Sequence, residues 1–157
     1  MDLSPAHLHL MLNHIPVLGT LLFAPLVVGW GLLRRSRDIT RVGLVLAVLL
    51  AVTAVPIYLT GEPAEDQLER RPWFDKQRVE AHEERAEIGL IAVLITGAAA
   101  LGALWVGRGG RPDRPGLAAV VLLGLVVSAA LFALAALAGG EIRHDEIRNA
   151  VTGTAPS

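Results

Sequence analysis

Four uninterrupted apolar runs, residues 15–33, 42–60, 88–107 and 117–138, decide what this chain can become. Each holds 19 to 22 residues and no Asp, Glu, Lys or Arg. As α-helices such runs are about 30 Å long, the thickness of a bilayer's hydrocarbon core. A water-soluble bundle would need polar residues every third or fourth position along each helix, and these runs lack them. They predict an all-α integral membrane bundle of four helices. The overall composition agrees, with 53% hydrophobic residues and a mean hydropathy of +0.52.

The connectors orient the bundle. Residues 34–41 carry Arg34, Arg35, Arg37 and Arg41 against one Asp, and residues 108–114 carry Arg108, Arg111 and Arg114 against another. Seven of the fourteen basic residues thus sit in two short turns, which the positive-inside rule assigns to the cytoplasm. Both termini and the long segment 61–87 then lie outside, with thirteen of the fifteen acids. Trp30 and Trp105 fall at the inner interface, and Tyr58, Trp73 and Phe74 at the outer one. The expected arrangement is one domain over residues 1–148, N-out and C-out, in a bacterial inner membrane, followed by a flexible tail at 149–157. The first span is not expected to be a cleaved signal peptide, because its basic cluster follows it rather than precedes it.

A formal net charge of −1 gives no footprint for nucleic acid. The absence of cysteine removes disulfides, thiolate metal sites, iron–sulfur ligation and covalent haem attachment.

Punctuation refines the helices. Ser4-Pro5 reads as an N-cap followed by a first-turn proline, so the first helix starts about ten residues before the membrane core and runs through His14. Pro16, Pro25 and Pro56 each free a carbonyl one turn earlier, and the one freed near His14 could orient its ring. Asp75 reads as the N-cap of a helix running through His82 into the third span. Trp73 and Phe74 would rest on the outer leaflet or cover the bundle mouth. Each half reads as histidine, span, basic turn, span and Gly-Glu, a weak parallel two-hairpin repeat. That repeat would set His14 opposite His82 and Glu65 opposite His144.

All five histidines, His7, His9, His14, His82 and His144, lie at the outer ends of the spans, and none lies in the basic turns. Imidazoles near lipid surrender hydration, so a group of them there points to a metal, a haem or a proton path. His14 and His82 form the leading pair. His82 shares a helical stripe with Ala86, Gly89, Val93 and Gly97, which reads either as close helix packing or as room for a flat macrocycle. Glu141 and His144 have E-x-x-H spacing, which shares one face if the helix continues past Gly139-Gly140. Glu83 and Glu87 are expected to pair with Arg85 or Lys76 or to face water. His7 and His9, two apart, point to different sides of a helix. Imidazole suits Fe, Cu, Zn and Ni, so a nonhaem site would draw on His14, His82, His144 and on Glu65, Glu83 or Glu141.

The run Leu8-His9-Leu10-Met11-Leu12-Asn13-His14-Ile15-Pro16 resembles the first-helix signature, roughly L-H-P-x-L-x-H-F-P, of a family of small bacterial four-helix membrane proteins of unknown function. The approach to the third span with His82, and Gly139-Gly140-x-x-x-His144, resemble that family's later motifs. The likeness covers residues 8–147, with only these short stretches specific. Such domains are sometimes joined to Rieske-type or cytochrome modules. The resemblance therefore implies redox work and haem binding at His9, His14, His82 and His144. Leu10 stands where the family has proline, His7 has no counterpart, and the outer segment is richer in Glu.

The resulting expectation is a haem b electron-transfer protein with His14 and His82 as axial ligands and Glu141 fixing a ring tautomer. The alternatives are a nonhaem iron, copper or zinc protein, or a structural subunit. The partners expected are the lipid bilayer and a redox protein or larger membrane complex, with a homo-oligomer compatible and nucleic acid excluded.

Overall fold

Ser4 caps the first helix, its Oγ accepting from the His7 N–H at 3.4 Å, and Pro5 opens it at a position where no intrahelical donor is lost. The computed structural model describes residues 4–109 and 114–144. The tail expected at 149–157 and Arg111 of the second basic turn lie outside the described residues. The elements are α1 (Pro5–Leu12), α2 (His14–Leu18), a π-helical turn (Gly19–Phe23), α3 (Ala24–Leu33), α4 (Arg37–Tyr58), α5 (Gly61–Leu68), α6 (Lys76–Val106) and α7 (Pro115–Arg143). No strand occurs among the described residues.

These elements build four helical runs long and apolar enough to cross a membrane, Pro5–Leu33, Arg37–Leu68, Lys76–Val106 and Pro115–Ile142. Large apolar side chains such as Leu26, Val52, Ile95 and Leu123 stay exposed along them, a surface that lipid accepts and water does not. The protein is a multi-pass membrane four-helix bundle. Its runs are 28 to 32 residues long, against the about 20 that hydrocarbon requires. The arginine turns stop the helices close to the apolar spans, so the surplus collects at the other end. There α1, α5 and the first turns of α6 extend roughly 15 Å past the apolar zone.

Around the bundle, α3 packs on α4 and α7, α4 on α6, and α6 on α7, a ring in chain order closed by the first and last spans. Val28, Val93, Val121 and Leu125 are fully buried at its centre. Between transmembrane helices dispersion replaces the hydrophobic effect, so backbones must approach closely. Gly43 lies against Val28, where a Cβ would sit 2.8 Å from the Val28 main-chain nitrogen. Gly97 lies against the Ala51 side chain, where an added Cβ would clash with the methyl. The small residues Gly89 and Gly97 below His82 therefore serve helix packing. The Phe132 ring covers Gly89, with a Cβ there only 2.9 Å from the ring edge.

The first run is not the continuous helix expected from its sequence. Pro16 has no N–H to give Leu12, and the next bond, Val17 N–H to Asn13 O, is long at 3.4 Å; the helix is interrupted at Asn13. Pro25 likewise cannot bond Leu21, and the turn ahead of it widens, Ala24 N–H reaching back five residues to Gly19 O. Thr20, fully buried there, donates its hydroxyl to Pro16 O at 2.7 Å.

The hairpin from α3 to α4 closes through a Schellman motif. Ser36 N–H bonds Gly31 O at 2.9 Å and Arg35 N–H bonds Leu32 O at 3.1 Å, which puts Arg35 in the left-handed region at φ 50°. Ser36 then caps α4 by accepting from Ile39 N–H.

Candidate functional site: a polar seam at the histidine end

Beyond Tyr58 the chain turns at Leu59–Thr60 and lays α5 along α1, tied by the Ala6 N–H to Gln67 Oε1 at 3.1 Å. This two-helix layer faces the first turns of α6. Side chains, rather than backbones, bridge the two.

His9 projects from α1 onto Gly61 and Thr60, its Nδ1 2.8 Å from Thr60 Oγ1. Thr60 spends its one hydroxyl proton on Ile57 O at 2.5 Å, so His9 Nδ1–H is the donor. His82, on α6, has Nδ1 2.8 Å from Ala135 O on α7, and its ring lies over Gly139, where a Cβ would be 3.1 Å from Cε1 and Nδ1. A carbonyl only accepts, so His82 too is held as the Nδ1–H form. In each ring the Nδ1 contact fixes the plane of the imidazole. His9 and His82 lie within electrostatic reach of each other. His9 stands ahead of the apolar span, and burial, with the His82 charge second, holds its pKa below the ordinary imidazole value, against a smaller opposing effect of the Ile57 carbonyl.

A carboxyl pair continues the seam. The carboxyls of Glu65 on α5 and Glu83 on α6 come close enough to share a hydrogen bond when one of them is protonated. Partial burial raises the Glu65 pKa first, then the bond and charge of Glu83 and the charge of Glu69, with Lys76 opposing. Tyr58 stands within electrostatic reach of Glu83 and Glu87. Asp75 does begin α6, but its carboxylate accepts from Arg78 Nε at 2.8 Å instead of capping the helix. Arg78 also reaches Glu141, Nη1 to Oε2 3.9 Å.

The candidates therefore divide. His9, His82, Glu65 and Glu83 line the seam. His14 does not join them: it is exposed, and its Nδ1 bonds Leu10 O at 2.7 Å, not the Leu12 carbonyl that Pro16 frees. His7 is exposed and 3.0 Å from Ser4 Oγ. Helix α7 does pass Gly139-Gly140, but it ends at Arg143, and His144 leaves it in an extended conformation, exposed. Glu141 turns to Arg78, so the E-x-x-H face is not formed around one site. The duplication's pairings become His9 with His82 and Glu65 with Glu83. Trp73 and Phe74 are half-buried beside the seam's α6 start. Among the described residues no three His, Asp or Glu side chains converge closely enough to hold a metal ion. Thr60, Ala135 and Arg78 escaped the sequence reading, because nothing local to them signals the long-range partner each meets.

Compared with protein-family profiles, characterised proteins and solved structures, the chain has no match.

The donor chemistry suits a two-ligand group better than a three-ligand ion. Haem b takes two imidazole Nε2 atoms, and ligating histidines are held at the other nitrogen by an oxygen acceptor. His9 and His82 each have the oxygen contact at Nδ1. Helix α1 packs on α5, which places His9 within electrostatic reach of His82 on α6.

Proposed function

We propose that this membrane protein carries haem b at its histidine end and works in electron transfer, with His9 and His82 as the residues that would hold it. The observation behind the reading is two imidazoles within electrostatic reach of each other, each with its Nδ1 held by an oxygen. The bound haem would supply one-electron redox chemistry. Thr60 and Ala135 hold the ring planes, and Glu65 with Glu83 adds negative charge that favours the oxidised state. By the positive-inside rule the arginine turns are cytoplasmic, which sets the seam on the outer face of a bacterial inner membrane. Standing past the lipid, it is open to a soluble redox partner or a larger complex.

Optical spectra of the protein, expressed with ample haem and purified in detergent, test the reading. A Soret band that His9→Ala and His82→Ala each abolish is the expected result. Its absence from the wild type sinks the proposal. Stoichiometric iron, copper or zinc without that band would point to the nonhaem alternative, and neither group to a structural subunit.

A further inference from the structure

The opposite end of the bundle holds a second feature, independent of the seam. A cleft of ≈ 520 Å³ opens there between the start of α4 and the end of α6, lined by Arg37, Arg41, Arg108, Leu101, Leu104 and Trp105. Its rim is cationic and its floor apolar. Arg37 and Arg41, one turn apart on α4, place two guanidinium groups on one wall. Arg41 is fixed in place by donating from Nη2 to Gly107 O at 2.6 Å, across to the end of α6. On the other wall Arg108 lies over the Trp105 ring at 4.1 Å, which orients its planar fork. Leu101 and Trp105 are exposed on the lipid-facing side, so the apolar floor continues onto the acyl region of the bilayer.

We infer that this cleft binds an anionic phospholipid, its phosphodiester held by Arg37, Arg41 and Arg108 and one acyl chain lying along Leu101, Leu104 and Trp105. A point charge in water would attract any anion. A guanidinium rim above an apolar, lipid-facing floor selects an anion that carries a hydrocarbon tail. Arg34 supplies an internal contrast: it sits at the same end, over Trp30 at 5.4 Å, but lines no part of the cleft.

Native mass spectrometry of the full chain, released from detergent after titration with phosphatidylglycerol or phosphatidylcholine, tests this. Retention of one phosphatidylglycerol in preference to phosphatidylcholine is expected. The Arg37→Gln/Arg108→Gln double variant should weaken that retention about tenfold, and Arg34→Gln less than about twofold. Arg41 is left intact because of its bond to Gly107. Equal loss in Arg34→Gln, or unchanged retention in the double variant, overturns the assignment. So does displacement of the lipid by millimolar inorganic phosphate, which would make the site one for a soluble anion. As a second readout, Trp105 fluorescence in a Trp30→Phe/Trp73→Phe background should be quenched more by brominated phosphatidylglycerol than by brominated phosphatidylcholine. Equal quenching counts against the site even where a variant fails to fold.

Discussion

His82 donates its Nδ1–H to the main-chain oxygen of Ala135 at 2.8 Å, joining positions 53 residues apart. The bond anchors the overhanging turns of α6 to the last turns of α7 and fixes which ring nitrogen faces the seam. It exists because Gly139 lets the ring lie flat on α7.

Gly139→Ala tests that dependence. The new Cβ would stand 3.1 Å from two ring atoms, so the imidazole must shift and its bond to Ala135 weaken. A loss of about 1 kcal/mol is expected from equilibrium unfolding in detergent. Gly102→Ala, where nothing lies within 4 Å, should be neutral or slightly stabilising.

His14 and His9 should behave differently. His14 is exposed and bonds only within its own helix, whereas His9 is half-buried against Thr60. In haem-loaded protein, His14→Ala should keep the Soret band that His9→Ala removes. The reverse outcome would return the axial role to His14.

Acid pH should favour the seam. The folded pKa of Glu65 lies above its ordinary 4.5, so the folded state holds that proton more tightly than the unfolded chain. Its contribution is complete below the ordinary value and is lost as pH rises through the folded one. Glu65→Gln keeps a donor toward Glu83 at every pH. The thermal midpoint of the wild type, relative to that variant, should therefore decline as pH rises above about 4.5. A flat difference would show that the carboxyl pair carries no proton.

Arg35 holds a left-handed conformation that costs a non-glycine residue about 1 kcal/mol. Arg35→Gly should raise stability by up to that amount, read from the unfolding midpoint, since the Schellman bonds use only main-chain atoms. Destabilisation would mean that the side chain supports the turn.

Much of the bundle was legible in the sequence because a hydrocarbon core imposes one requirement, about 20 apolar residues, that local composition can meet alone. Ser4-Pro5 and Asp75 marked helix starts for similarly local reasons. The seam was less legible. Glu65 approaches Glu83, and His9 comes within electrostatic reach of His82, only because α5 continues outward from α4 beside α1, and no residue at Leu59–Thr60 announces which helix it will meet. Small residues near His82 fitted packing and cofactor alike until Phe132 was seen over Gly89. His14 was favoured by its place at an outer span end and by the family resemblance, whereas in the fold it is exposed and bonds within its own helix.

The π-helical turn at Gly19–Phe23 sets the azimuth of everything ahead of it. It winds one residue more into its turn than an α-helix would, and one residue is about 100° of rotation. Remove a residue from that turn and α3 stays in its place while α1 swings about a third of the way round its own axis. His9 would then leave Thr60 and face away from His82. The spacing between the two prolines thus acts as a rotational setting, chosen deep among the spans and read out at the far tip of the first helix.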